Sequence, residues 1–408
     1  MLRSRSSVDR STTEWGGRIM LALIATGLGY GAVSHSYAYS IRRSAPERAH
    51  RLAPGDGRIT ALLSEQRSGT EATAADRAAA DRVARMALSQ DATAVSAAAT
   101  LGINAALGNA TGQARRWFNY AQRLSRRDLR TQLWFIEDSV TRNDIPGALH
   151  HYDIALRTSR VANDLLLPVL SAAISTPEVR AAMVDKLSSH PIWTASFIGF
   201  AAVEGPDPQA TAQLFRALPA SVLISDDARA VLLDRLVRAG KLGEAWDFYQ
   251  SVHPGVRRDQ SRDADFIANP SAPSLFDWNA INDDSVTATI QRGASGGVAT
   301  FEAVQTAGGV ALRQAQMLPP GNYTLMGQSS EIAQPAGSRP YWSLSCANGQ
   351  ELSRIDLPDS VQMTGRFGGR FRVPAGCPLQ YLQLIVRPSD VSAGVRGQID
   401  NVQIAPVN

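Results

Sequence analysis

Small and aromatic residues recur in this sequence at intervals of 34 positions, and this repetition constrains the fold more than any other feature. The repeated residues form three series: Ala80, Ala114 and Ala148; Ala84, Phe118 and Tyr152; and Ala87, Ala121 and Ala155. Within each repeat the three residues are spaced i, i+4 and i+7, which places them in one stripe along a helix. A helical stripe that returns at a fixed interval predicts stacked helical hairpins, which bury their apolar faces against one another.

The helical periodicity extends over residues 70–260, and the residues at fixed positions resemble those of the tetratricopeptide repeat. The matching positions are Leu101-Gly102, Ala114, Phe118 and Ala121 in one unit, Asn143-Asp144, Ala148, Tyr152 and Ala155-Leu156 in the next, and Leu232-Leu233, Gly240, Ala245 and Tyr249 in a later one. Residues 168–219 are helical but depart from the pattern. The resemblance implies an α-solenoid that holds a protein or peptide partner on its concave surface.

The densest basic cluster of the chain lies within these predicted repeats. It consists of Arg115, Arg116, Arg123, Arg126, Arg127 and Arg130. Such a cluster can be a solvated helix face, or it can contact an acidic partner, an anionic polysaccharide or lipid headgroups. A nucleic acid is not the expected ligand, because the positive charge is almost all arginine and no lysine-rich tail, zinc finger or aromatic-basic signature is present.

Residues 19–33 form an uninterrupted run of apolar and small residues, IMLALIATGLGYGAV. Together with the milder residues 34–41 the run is long enough to cross a bilayer, which needs roughly 20 residues at ~1.5 Å each. Trp15, Tyr37 and Tyr39 lie near its ends, where aromatic rings favour the membrane interface. We therefore expect a cytoplasmic tail over residues 1–18, a transmembrane signal-anchor over residues 19–41, and a linker with a first short helix over residues 42–69.

A cleaved signal peptide is the alternative interpretation of the same run. Residues 19–33 would then be its apolar region, and Ser36-Tyr37-Ala38 would supply the small residues at the cleavage site. Arginines flank both ends of the run, so charge does not decide the orientation. The interpretation that we favour is a single-pass protein of a bacterial inner membrane, with the bulk of the chain in the periplasm.

The chain contains only two cysteines, Cys346 and Cys377. Two thiols are too few for a zinc cluster built from cysteine. They are expected either to form one disulfide in an oxidising compartment or to be two buried free thiols. The disulfide agrees with the predicted location outside the cytoplasm.

Beyond a predicted linker at residues 261–273, the pattern of residues 274–408 changes from helical to alternating. Val286, Ala288 and Ile290 alternate with polar residues, and Trp342 and Cys346 alternate with serine and tyrosine. Short alternating runs separated by Pro/Gly turns predict an antiparallel β-sandwich. Three segments resemble the galactose-binding-like jelly roll of carbohydrate-binding modules: Phe276-Asp277-Trp278, Leu318 to Leu325, and Ile399 to Ile404.

The jelly-roll resemblance implies a glycan site in which exposed aromatic rings stack on sugar faces. Trp278, Tyr341 and Tyr381 are the candidate ligand-binding residues, and Tyr341 alternates with Ser343 and Ser345. Trp342 shares a strand face with Cys346 and is expected in the core. The polar face of this strand could instead dock onto the helical repeats or onto another protein.

The sequence contains no catalytic, phosphate-binding or metal-binding motif, and we expect no catalytic residue, cofactor or metal. Taken together, the chain is predicted to be a multidomain α plus β envelope protein that holds partners, in the setting of cell-surface polysaccharide assembly or export. The alternatives are an enzyme that acts on polysaccharide and, if the N-terminal segment is cleaved, a secreted binding protein. Carboxylates that an enzyme or a Ca²⁺ site could use are Asp283, Asp284, Asp356, Asp359 and Asp400.

Overall fold

The structure, a computed structural model, describes residues 12–69, 72–293 and 296–407. Most of the predicted cytoplasmic tail, with Arg3, Arg5 and Arg10, lies outside the described residues. Within them the chain forms fourteen α-helices followed by ten β-strands. It divides into two compact units, one up to Asn163 and one from Asp164 onward. This architecture confirms the predicted fold class of an N-terminal apolar helix, helical hairpins and a C-terminal antiparallel sandwich.

The first helix, α1 (Thr12–Ile41), is the one helix among the described residues that is long and apolar enough to cross a membrane. Most of its side chains are exposed, including Leu28 and Val33, which are about 70% accessible. Its last turn is different. Ala38 is fully buried in a small cluster with Ala49, Ala53 and Ile59, so the end of α1 is packed into the first unit.

Seven further helices complete the first unit. They are α2 (Pro46–Leu52), α3 (Gly57–Gln66), α4 (Ala74–Gln90), α5 (Val95–Leu107), α6 (Thr111–Leu124), α7 (Leu129–Thr141) and α8 (Ile145–Thr158). Polar side chains cap several of them. The Asp56 side chain accepts from the first amides of α3, and Thr73 and Asp76 form a reciprocal capping box on α4. The side chains of Asp128 and Asp144 cap α7 and α8 by accepting a hydrogen bond from a backbone amide of the first turn.

The predicted repeat positions are packing positions. All nine residues of the three 34-residue series lie on α4, α6 or α8 and are at most 6% exposed. Gly102 on α5 allows the closest approach, because a Cβ atom there would lie 2.9 Å from three ring atoms of Phe118. Phe118 in turn stacks on Trp134 with ring centroids 4.6 Å apart. The small residues therefore let the helices approach and the aromatic rings fill the space between them, whereas the tetratricopeptide resemblance itself stays a prediction.

The helix α9 (Val161–Ala173) crosses from the first unit into the second, which contains five further helices. These are α10 (Pro177–Ser188), α11 (Thr194–Val203), α12 (Pro208–Ala217), α13 (Asp226–Arg238) and α14 (Leu242–Val252). Gly205 and Pro206, within the stretch that departs from the repeat pattern, lie between α11 and α12. There Asp207 caps α12 and Pro208 is its first residue.

Ten strands form the sandwich of the second unit. They are β1 (Asn279–Ala280), β2 (Val286–Gly293), β3 (Gly296–Ala303), β4 (Gly309–Gln316), β5 (Gly321–Ser330), β6 (Tyr341–Cys346), β7 (Glu351–Asp356), β8 (Gly365–Val373), β9 (Gln380–Val386) and β10 (Val395–Pro406). The first sheet has the order β1-β4-β9-β6-β7 and the second has the order β2-β3-β10-β5-β8. Every recorded pairing is antiparallel.

The two sheets enclose one apolar core, to which alternate residues of most strands contribute. Cys346 at the end of β6 and Cys377 before β9 form a disulfide, with their Cα atoms 5.6 Å apart. Both cysteines are buried in this core. The disulfide prediction is therefore confirmed, and the alternative of two free thiols is wrong.

The segment between α14 and β1 packs against α14 and against the sandwich. Arg262 is 4% exposed, and Phe266 is fully buried in the sandwich core. The Arg262 guanidinium donates to the backbone oxygens of Phe276 and Ala315, and its central carbon lies 5.6 Å from the ring centroid of Trp246 on α14. Burial lowers the pKa of Arg262 from its usual range. Residues 261–273, predicted as a linker, thus carry side chains that join the last helix to the sandwich.

Candidate functional site

The outer surface of the first sheet brings together two of the predicted sugar-stacking residues. On β6, Trp342, Leu344 and Cys346 point into the core, so Tyr341, Ser343 and Ser345 lie on the outer side, where Ser343 is itself covered and only 8% exposed. On β9 the buried residues are Gln380, Leu382, Leu384 and Val386, which leaves Tyr381, Gln383 and Ile385 on the outer side. We call this outer surface of β4, β9, β6 and β7 the tyrosine face.

The strand register fixes where the two tyrosines lie on the tyrosine face. Tyr381 is directly opposite Ser345, and Tyr341 is opposite Ile385. The two rings are therefore on adjacent strands and four residues apart along them, a separation of roughly 13 Å at ~3.3 Å per residue. Both tyrosines are half-buried. Two aromatic rings spaced in this way suit a chain of several sugar residues better than a single one.

Two arginines flank the ring of Tyr341. The guanidinium carbons of Arg354 on β7 and Arg387 after β9 lie 4.5 Å and 4.4 Å from its centroid. Each arginine is also held by a carboxylate, since Arg354 bonds Glu351 at 3.0 Å and Arg387 bonds Asp356 at 2.7 Å. Contacts of this kind at a solvent-exposed surface are weak, so a ligand can displace one guanidinium from the ring at little cost.

The other end of the tyrosine face is less crowded. The Arg313 guanidinium on β4 lies 5.9 Å from the Tyr381 ring centroid. The side-chain oxygen of Gln383 accepts from Arg313 Nε at 3.1 Å and from Nη2 at 3.2 Å in the amide orientation that satisfies both groups. The tyrosine face therefore combines two rings with guanidinium, amide and hydroxyl groups, which can pair with the oxygens of a sugar.

Trp278, the third predicted stacking residue, does not lie on the tyrosine face. It is 4% exposed, its ring packs against Phe266 and Trp342, and its Nε1 donates to the Asp263 backbone oxygen at 3.0 Å. The prediction that Trp278 offers an exposed ring is wrong. Phe276, two residues earlier, is also fully buried, and this i, i+2 apolar pair was the signal for an inward-facing segment. Trp342 is 1% exposed, as expected of a core residue.

The three arginines of the tyrosine face, Arg313, Arg354 and Arg387, were not predicted from the sequence. Arg354 sits directly opposite Ser343, and Arg313 directly opposite Gln383. Alternation along β4 and β7 would have assigned Arg313 and Arg354 to an outer face. The order in which the strands pair, which brings these faces together, is not visible in the sequence.

The predicted basic cluster in the first unit separates into two groups. Arg115 bonds Asp138 at 2.6 Å, and Arg130 contacts Glu65 and Asp128 within 3.3 Å, so both belong to ion pairs that tie helices and loops together. The other four are exposed and form the basic surface that remains: Arg116, Arg123, Arg126 and Arg127.

The structure places two of the carboxylates that an enzyme could use, Asp356 and Asp400, on different strands. Asp356 is on β7 of the first sheet and Asp400 is on β10 of the second, so they belong to opposite sheets. Burial raises the pKa of Asp400, which accepts a hydrogen bond from Ser330. Within the described ranges, no three His, Cys, Asp or Glu side chains are grouped so that they could hold a metal ion.

No protein-family model matches the sequence, and a comparison with curated proteins finds no similar one. Among solved structures, a carbohydrate-binding module of the CBM4 type aligns with 12% identity over 36% of this chain and 99% of its own, with a TM-score of 0.27. The module TmCBM61, solved with β-1,4-galactotriose, aligns with 14% identity over 32% of this chain and 88% of its own, with a TM-score of 0.25. An enzymatically active domain of a bacteriophage CBA120 tailspike aligns with 13% identity over 33% of this chain but only 20% of its own, with a TM-score of 0.26. At these values the matches carry no inference about ligand or activity.

Proposed function

We propose that this protein is a membrane-anchored binding protein whose sandwich holds a glycan on the tyrosine face without cleaving it. The observation that carries the proposal is the placement of Tyr341 and Tyr381 on one sheet surface among arginine, serine and glutamine side chains. Tyrosine rings can cover the C–H faces of sugars, while the surrounding donors and acceptors satisfy the sugar oxygens.

The pairing of the carboxylates on this surface supports the proposal that the glycan is bound and not cleaved. Glycoside hydrolysis needs one carboxylic acid that keeps its proton and a second carboxylate at a defined distance from it. Glu351 and Asp356 each accept hydrogen bonds from an arginine, at 3.0 Å from Arg354 and at 2.7 Å from Arg387, so both carboxylates already have a partner on this surface. A shallow surface site of this kind is expected to bind with a Kd of ~10⁻³ to 10⁻⁵ M.

The experiment is a titration of the detergent-solubilised full-length protein with β-1,4-galactotriose and with oligosaccharides released from the host's own surface polysaccharide. Tyr381→Ala is expected to weaken binding about tenfold, equivalent to ~1.4 kcal/mol, and Tyr341→Ala to weaken it as well. Met326→Ala is the matched control, because Met326 is 48% exposed on the opposite sheet. Binding that survives the double tyrosine variant, or no binding by any of these sugars at millimolar concentration, would contradict the proposal. The second outcome would favour a protein ligand for this face.

In this proposal α1 anchors the chain in the membrane and the helical hairpins bind a partner. The burial of Ala38 in the first unit supports retention of α1, because cleavage after Ala38 would remove a packed side chain from that unit. The helical hairpins would hold a protein partner, and a sandwich on the periplasmic side would meet newly made polysaccharide. Cell-surface polysaccharide assembly or export is the process that we propose for this arrangement.

A further inference from the structure

A cavity of about 430 Å³ opens beside the last turn of α1 in the first unit. Its rim carries Tyr39, Arg42 and Arg43 from the end of α1 and Arg58 from α3, and its floor includes Leu62 of α3 and Leu124 of α6. The lining thus combines three guanidinium groups with apolar side chains. None of the described residues that line the cavity is acidic.

The three arginines differ in how they are held. Arg43 is exposed and forms no ion pair or hydrogen bond within the described part of the chain. Arg42 lies over the ring of Tyr39, with its guanidinium carbon 3.6 Å from the centroid. Arg58 bonds the carboxylate of Asp91 at 3.1 Å, which fixes its position at the rim. Among the described residues, Arg43 is therefore the cation of this cavity without a partner, and neighbouring side chains hold the other two in place.

The N-terminus of α5 contributes partial positive charge to this cavity. The cavity wall includes Ala94, Val95 and Ser96 at the start of α5. Ala94 occupies the N-cap position and provides no side-chain cap, so the first amide groups of this 13-residue helix keep their capacity to donate. These amide dipoles would also attract an anion near the arginines.

The position of the cavity along α1 favours a lipid headgroup as the anion. Tyr37 follows Trp15 by 22 residues, a rise of roughly 33 Å at 1.5 Å per residue, which matches the ~30 Å hydrocarbon core of a bilayer. Arg42 follows Tyr37 by five residues, or roughly 7.5 Å, a distance that places it in the layer of lipid headgroups. Guanidinium groups bind phosphate with charge-assisted and often bidentate hydrogen bonds.

We infer that this cavity binds the phosphate of an anionic phospholipid from the membrane that α1 crosses. The arginines take the phosphate, while the apolar floor formed by Leu62 and Leu124 accommodates the adjoining carbon atoms of the lipid. This inference rests on the proposed anchoring of α1.

The test is native mass spectrometry of the full-length protein in a neutral detergent with added phosphatidylglycerol, and with phosphatidylcholine for comparison. One phosphatidylglycerol is expected to bind per chain, at least tenfold more tightly than phosphatidylcholine. The double variant R42Q/R43Q is expected to reduce this binding at least tenfold. The control R116Q/R123Q removes two exposed arginines of α6 that do not line the cavity, and it is expected to bind as the wild type does.

Three outcomes would overturn the inference: equal binding of the two lipids, equal loss in the control variant, or displacement of the lipid by inorganic phosphate at a concentration similar to that of the lipid. Carbonate extraction of the same membranes distinguishes failure of the proposed anchor from failure of the headgroup site. Wild-type protein that carbonate releases from membranes would contradict the anchor, whereas retained protein without lipid preference would contradict only the headgroup site. Thermal melts of R42Q/R43Q and of R43Q alone check that the first unit remains folded in each variant, and R43Q, which changes one exposed side chain, is also expected to weaken lipid binding.

Discussion

The imidazole of His151 is stacked on the ring of Phe135, with centroids 4.6 Å apart and planes 9° from parallel. Its Nδ1 lies 2.8 Å from the side-chain oxygen of Gln132. Burial of this half-buried ring, together with the neighbouring His150, lowers the pKa of His151 to about 4. The two histidines are adjacent in sequence, and only the fold gives one of them a buried environment.

This lowered pKa predicts a pH-dependent stability of the first unit. The unfolded chain takes up a proton at His151 near pH 6.5, and the folded chain does so only near pH 4. Stability is therefore full above pH 6.5 and falls as the pH decreases towards 4. Because solvent screens a half-buried group, we expect a loss of only about 1–2 kcal/mol from this residue.

Thermal melts of the full-length protein at pH 7.5 and pH 4.5 measure this loss. H151Q is expected to reduce the difference between the two melting temperatures, and the exposed neighbour variant H150Q to keep most of it. A wild-type pH dependence in H151Q would show that other groups are responsible.

The burial of individual residues was predictable where the repeat period assigned them to one face of a helix. The nine alanine and aromatic positions of the repeat are buried because a 34-residue period repeated three times leaves little choice of register. Trp278 precedes β1, a strand of only two residues, so the apolar pair that it forms with Phe276 was the signal for its burial and the strand itself added none. Its burial depends on Asp263 and Phe266, which come from the preceding segment.

Among the helices, two glycines differ in the space around them: one is tightly packed and the other is open to solvent. Gly102 in α5 faces the Phe118 ring at 2.9 Å, whereas a Cβ atom at Gly112 in α6 would have no atom within 4 Å. Phe118 cannot move away freely, because Trp134 and Phe135 pack on it with centroids 4.6 Å and 6.5 Å away. The same substitution is therefore expected to have opposite effects at the two positions.

G102A is expected to destabilise the first unit by about 1–3 kcal/mol, since the added methyl group overpacks the contact. G112A is expected to stabilise it by about 0.5–1 kcal/mol, since alanine loses less backbone entropy in a helix than glycine does. Chemical denaturation of both variants beside the wild type measures the two signs. Similar shifts in the same direction would contradict the packing of α5 against α6.

The sequence predicted individual strands better than it predicted which strands pair with one another. The alternation of β6 placed Tyr341, Ser343 and Ser345 on one face. The other half of the tyrosine face comes from β4, β7 and β9, which join β6 through the sheet order and not through the sequence order. Sequence alone therefore predicted the rings of the candidate site and missed its arginines.

At the scale of the whole chain, α1 and the disulfide together predict on which side of the membrane the sandwich lies. A reporter that is active only in the periplasm, fused after the last residue, is expected to be active. Cys346 and Cys377 in protein from the native membrane are expected to react with a maleimide only after reduction, because their disulfide forms in an oxidising compartment.

A chain that carries two maleimide groups without reduction, together with an inactive reporter, would place the sandwich in the cytoplasm. The control is a double variant C346S/C377S, which must remain unlabelled. Its reporter activity shows whether orientation depends on the bridge.

The packing of Arg262 between α14 and the sandwich has a consequence for how such a protein can evolve. Recombination exchanges domains most easily where few side chains cross the boundary between them. Here Tyr249 of α14 donates to Asp277 at 2.8 Å, the Ser271 hydroxyl donates to Asp226 of α13 at 2.8 Å, and Arg262 lies against the ring of Trp246. A descendant that acquired a different sandwich would have to inherit α14 with it, so new binding specificities are expected to arise by substitutions on the sheet surface rather than by replacement of the module.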